Sequence, residues 1–143
     1  MVELLIIVIL LGLLSTIAIS SFGSSREETR RAAFVASLKS FSSGIHASRV
    51  RLAGDFPDDQ YPGVVPPEAA PYLDTKAWTS TTPLGGRWDW ECDVFGITAG
   101  ISVVNPDVDS SEMALVDSLI DDGNLATGSF RRIASRYIFV LQE

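Results

Sequence analysis

Leu4 to Phe22 is a run of nineteen positions without a charged residue, and its only polar side chains are Ser and Thr. At ~1.5 Å per residue, a helix of that length crosses a hydrocarbon layer. Lipid also demands that backbone groups be satisfied within the segment, which makes helix the default there. Glu3 stands immediately before the run. A carboxylate at the mouth of such a segment is costly in lipid and marks a functional position by default. The chain has 143 residues, enough for one domain with a modest core. The run and the helix expected after it cannot close a core alone. The remaining ninety or so residues must form a small head packed on that helix.

The punctuation of the sequence gives four regions. Residues 1–23 are the hydrophobic transmembrane segment. Gly12, Ser15, Thr16, Ser20, Ser21 and Gly23 make its second half the easier part to unwind. Residues 24–53 read as an amphipathic helix continuing into the head. Phe34, Leu38, Phe41, Ile45 and Leu52 recur at spacings of four, three, four and seven, one stripe of a helix that faces the head. Gly54 and Pro57 stop it. The two segments together predict a rod of roughly 80 Å. Residues 54–87, rich in Pro and Gly, predict a long ordered loop with a short helix near Glu68–Leu73, pinned by Tyr61, Tyr72 and Trp78.

Residues 88–143 predict an antiparallel sheet of three or four strands with one short helix. The stretch from Arg87 to Cys92 alternates, with Trp88, Trp90 and Cys92 on one face. Residues 96–104 form a second strand, and Arg136–Leu141 the last. Ser111 is expected to cap a helix over Glu112–Ile120, and Asp122, Gly123 and Asn124 to make a turn. The fold class is therefore α+β.

Charge divides along the chain. Residues 1–53 hold six basic and three acidic groups, a balance of +3. Residues 54–143 hold five basic and fifteen acidic groups, a balance of −10. An acidic head argues against nucleic acid as a partner, which needs concentrated Lys and Arg. Cys92 is the only cysteine, so an internal disulfide and a Cys-rich metal site are both ruled out. No enzyme signature, phosphate loop or Cys/His ligand set appears, and no cofactor is expected. The one histidine, His46, lies within the amphipathic helix and reads as a surface or partly packed residue. Asp107, Asp109, Asp117, Asp121 and Asp122 gather near turns. With Asn124 they offer oxygens to a calcium ion, but their spacing is not that of an EF-hand loop. Turn and cap roles are the weightier reading, and no metal site is expected. Trp88, Asp89 and Trp90 fit a sugar platform or, more simply, a strand packed on the helix.

Val2-Glu3-Leu4-Leu5-Ile6-Ile7-Val8-Ile9, then Leu10, Leu11, Gly12, Leu13 and Leu14, and Ile17-Ala18, resembles the N-terminal segment of type IV pilins and of type II secretion pseudopilins. The close match covers about the first twenty residues, and the next thirty agree by architecture alone. The resemblance implies a pilin-like head on a long N-terminal helix. It implies that a prepilin peptidase cuts after a glycine, that the new terminal residue is N-methylated, and that this cut lies two residues before Met1. A basic leader removed there would also outvote Arg26, Arg30 and Arg31, which otherwise set the positive-inside rule against an outward head. Glu3 is implied to pair with the terminal amine of a neighbouring subunit. The run from Leu4 to Phe22 is implied to anchor the chain in the bacterial inner membrane and then fill the core of a filament, with Glu3 and Leu4 to Leu14 as the assembly residues. Ser20 stands where many of these proteins carry a helix-breaking proline, and the disulfide of many major pilins is missing.

The expectation is a structural subunit of a helical type IV pilus-like filament and not an enzyme. Its partners would be copies of itself, the inner membrane before assembly, and the peptidase and assembly machinery. The filament would be extracellular or periplasmic. Two alternatives remain: a pseudopilin of a type II secretion system, and a membrane-tethered calcium- or glycan-binding module that does not polymerise.

Overall fold

The computed structural model describes residues 2–143, with backbone alone over 14–22. It divides into two compact units, one ending at Arg30 and one running from Arg31 to Glu143. Helix α1, Val2–Ser48, begins in the first and ends in the second. The head adds a 3-10 turn (Ala70–Tyr72), α2 (Thr75–Thr79), β1 (Arg87–Val94), β2 (Ile97–Val104), α3 (Ser110–Asp117), β3 (Phe130–Ile133) and β4 (Arg136–Gln142). The fold is α+β, with one four-stranded antiparallel sheet in the order β1-β2-β4-β3.

The sheet follows from its sequence. β1 and β2 form a hairpin, with Trp88 opposite Val103 and Trp90 opposite Ile101. β-branched and aromatic residues suit such a half-buried pleated surface. Phe34, Leu38, Phe41 and Ile45 of α1 are buried in one cluster with Trp88, Trp90, Ile101, Val103 and Phe130. Phe34 stacks on Trp88 at 4.7 Å between centroids, and Phe41 meets Trp88 edge-on at 5.3 Å. Burial of each large side chain in this layer contributes roughly 1.5–3 kcal/mol.

Three boundaries differ from the sequence reading. The helix ends at Ser48 rather than at residue 53, and Leu52 sits in the following turns, half-buried and off the stripe. The reason is local. Ser48 Oγ donates to the carbonyl of Ile45 at 2.7 Å, and the chain tightens into i→i−3 bonds at Arg51 and Leu52. The turn then closes through Ala53 (φ 57°) and Gly54 (φ 103°). In the Pro/Gly-rich loop, the 3-10 turn falls inside the expected stretch, but α2 was not anticipated. Asp74 caps α2 by accepting from the Ala77 amide at 3.0 Å. Trp78 anchors it, fully buried, with its indole N–H donating to Val64 O at 2.9 Å. Third, α3 is Ser110–Asp117 and its cap is Asp109, not Ser111. Asp109 Oδ1 accepts from the Glu112 amide at 3.0 Å and from Ser111 Oγ at 2.6 Å. The Asp109 carboxylate stands just before the first turn, where it also meets the positive end of the dipole, and Ser111 already lies inside the helix.

Candidate functional site

The residues singled out for assembly lie along the start of α1. Val2 is 72% exposed, Leu4 70%, and the aliphatic residues from Leu5 to Leu11, with Leu13, between 52% and 63%. Glu3 is exposed in the first helical turn, where the helix dipole favours a carboxylate. A Cβ added at Gly12 would meet nothing within 4 Å. Gly44 is the contrast: a Cβ there would overlap the Leu73 side chain and the Tyr72 carbonyl, so the fold of the chain itself requires that glycine. Leu14 and the rest of the run to Phe22 fall outside the described side chains, and Met1 outside the described residues. Among the described residues, no helix is long and apolar enough to cross a membrane.

The residues expected to pack helix on head are brought together, Leu52 excepted. His46 is exposed, with its ring 6.2 Å from that of Phe56. Trp88 and Trp90 are buried to within 1% and present no open ring face to a sugar. Trp90 donates its indole N–H to Pro57 O at 3.0 Å.

The head holds two acidic clusters, of which the sequence reading touched only the second, as turn and cap residues with calcium as the lesser reading. The first lies on β1. Alternation leaves Asp89 and Glu91 on the face opposite the tryptophans, yet they are only 1% and 2% exposed. Arg136 of β4 donates to both carboxylates through one nitrogen, Nη1. Ser102 Oγ donates to Glu91 Oε1 at 2.6 Å, and the Trp90 amide to Asp89 Oδ1 at 3.0 Å. The guanidinium carbon of Arg136 also lies 5.2 Å from the centre of the Phe95 ring. Burial, reinforced by the charge of Glu91, pushes the Asp89 carboxyl up to about 7 despite Arg136.

The second cluster closes the turn after α3. Oxygens of Asp117, Asp121 and Asp122 all lie within 4.8 Å of one another. Asp121 Oδ2 accepts from the amides of Ser129 and Phe130 and from Ser129 Oγ, while Oδ1 accepts from the Asp122 amide. Asp122 accepts from the Asn124 amide at 2.8 Å and from Thr127 Oγ1 at 3.0 Å. Gly128, at φ 80°, lets the loop pass close by, where a Cβ would overlap the Asp121 carboxylate. Asp117 differs from both. It is fully buried, and neither of its oxygens has a hydrogen-bond partner in the described structure. Burial, then contact with Asp121 and the charges of Asp121 and Asp122, pushes its carboxyl up to about 7. The same contact holds Asp121 well below the usual carboxylate range. Asp107 and Asp109 lie outside this group, and Asp109 serves as the α3 cap.

No family model matches the chain, and no curated protein or solved structure matches it.

Proposed function

We propose that this chain is a structural subunit of a helical, type IV pilus-like filament, assembled from the inner membrane through its N-terminal helix. The observation that carries the reading is the exposed aliphatic series from Val2 to Leu13, with Glu3 at its head. Soluble monomers rarely expose so much contiguous apolar surface, so it needs either lipid or other apolar surfaces around it. A filament supplies both in turn: the helix leaves the bilayer and enters a bundle of identical helices. Packing among these then replaces lipid contacts. Gly12 supports the same reading. Glycine in a helix costs about 1 kcal/mol relative to alanine, and no contact among the described residues repays it. A close approach by a neighbouring helix would.

Glu3 acts as the register key. Buried without a counter-charge, a carboxylate costs several kcal/mol, so only the axial position that gives it a cation is tolerated. The N-terminal amine of a neighbouring subunit is that cation by the resemblance stated above. A type II secretion pseudopilus would use the same helix in the same way. The tethered-module alternative leaves Glu3 without a task.

Glu3→Ala tests the proposal. Electron micrographs of cells carrying the variant should show filaments abolished or sharply reduced. The detergent-extracted variant should keep the near-ultraviolet signal of its buried tryptophans. Filaments in normal number and length would refute the role given to Glu3.

A further inference from the structure

We infer that the turn between α3 and β3 binds one divalent cation of calcium size through the carboxylates of Asp117, Asp121 and Asp122. The inference concerns the head alone and stands whether or not the chain polymerises.

Three exposed acidic groups in a turn would carry no such weight. Asp117 carries it. Its side chain is fully buried and both its oxygens lack a hydrogen-bond partner in the described structure, while oxygens of two further carboxylates lie within 4.8 Å. An ionised carboxylate in that position is one of the most expensive things a fold can contain. Its place in the helix adds to the cost. Asp117 is the last residue of α3, where the dipole presents its negative end. The arginines of the head that form ion pairs are engaged elsewhere: Arg31 with Glu112, Arg131 with Glu143, and Arg136 with Asp89 and Glu91.

One cation resolves all of this. Calcium takes oxygen ligands at ~2.3–2.6 Å, so two ligands on opposite sides of it stand roughly 4.8 Å apart. The mutual spacing of the three carboxylates fits within that limit. Magnesium is a poorer match, because it holds its ligands at ~2.0–2.1 Å and keeps much of its water. The outer two ligands are already oriented by the loop. Asp121 is held by the Ser129 and Phe130 amides, and Asp122 by the Asn124 amide and Thr127. Oδ2 of Asp121 is fully used by Ser129 and Phe130, but its Oδ1 accepts only the Asp122 amide and each Asp122 oxygen accepts a single bond, so each of these three oxygens keeps a lone pair for a metal. Bound there, the ion would tie the end of α3 to the start of β3, an edge strand of the sheet.

The test uses the full chain in detergent, with calcium chloride as the only added ligand. Calorimetry should give one calcium per chain. Thermal unfolding should shift up by roughly 10 °C at a hundredfold excess over Kd, and magnesium chloride should give much less. Asp117→Asn should abolish the calcium shift, yet be at least as stable as the parent in chelator, because it removes an unpartnered charge. Asp109→Asn, which keeps the α3 cap and lies outside the cluster, should retain the full shift. Absence of binding up to about 5 mM, beyond the range of weak extracellular calcium modules, would overturn the inference. So would an equal calcium shift in the parent and Asp117→Asn. Should Asp117→Asn not fold, Asp122→Asn replaces it: reduced calcium affinity supports the inference, and unchanged affinity overturns it.

Discussion

The head buries carboxylates in two places and compensates them in different ways. On β1, Asp89 and Glu91 sit beneath Arg136, with Ser102 and the Trp90 amide completing the set. At the end of α3, Asp117 is equally buried, has no hydrogen-bond partner in the described structure, and has the carboxylates of Asp121 and Asp122 within 4.8 Å. The first cluster is closed by the chain's own residues. The second is closed, by our inference, from outside. A buried charge on its own therefore says little about binding. What separates a structural carboxylate from a ligand is whether the fold already supplies its counter-charge.

Removing that counter-charge is the strongest way to break the comparison. Arg136→Met should cost about 3 kcal/mol, the low end for a broken buried ion pair, because the Arg136 side chain is 22% exposed. Denaturant unfolding of the full chain in detergent measures it. The loss should be larger at pH 8 than at pH 5, since Asp89 can take up a proton at the lower pH. A loss below about 1 kcal/mol at pH 8 would mean that Asp89 and Glu91 are solvated well enough without the arginine.

A pH profile sharpens the same contrast with a smaller effect. The folded Asp89 carboxyl is raised from 3.8 to about 7. Between those values the folded chain holds a proton that the unfolded chain has released. Unfolding free energy must then fall as pH rises through that window. One proton sets a ceiling of about 1.4 kcal/mol per pH unit on the slope. Asp117 contributes a slope of the same sign in chelator, so the informative quantity is the difference between parent and Asp89→Asn. The variant should have the flatter profile from pH 4 to 7. Identical slopes would remove Asp89 as the source.

These clusters also mark where the sequence stopped being readable. Phe34, Leu38, Phe41 and Ile45 announce their face by spacing, and β1 announces its inner face through Trp88 and Trp90. Each of those signals is periodic and local. The burial of Asp89 is neither, because it depends on an arginine 47 positions away whose strand reaches β1 across β2. Leu52 continued the helical period past the point where the Ser48 hydroxyl had already ended the helix. Asp117 looked like one more turn aspartate beside Asp121 and Asp122. In the fold it is the last residue of α3, one position from the buried Val116, and it goes into the interior with the apolar face of that helix. The five-residue α2 was too short to show a period inside a proline-rich stretch, although Asp74 three positions before Ala77 is a cap signal that could have found it.

The smallest expected effect comes from the ion pair with the least burial. Arg131 Nη2 lies 2.8 Å from both oxygens of Glu143. Glu143 is nevertheless 70% exposed, and water competes for both groups. Arg131→Gln should therefore change stability by less than about 1 kcal/mol, and by less still in high salt. If Arg131→Gln cost as much as Arg136→Met in the same unfolding assay, burial would not be setting the worth of these pairs. The contrast between a carboxylate the fold has neutralised and one it has left open would then lose its physical basis.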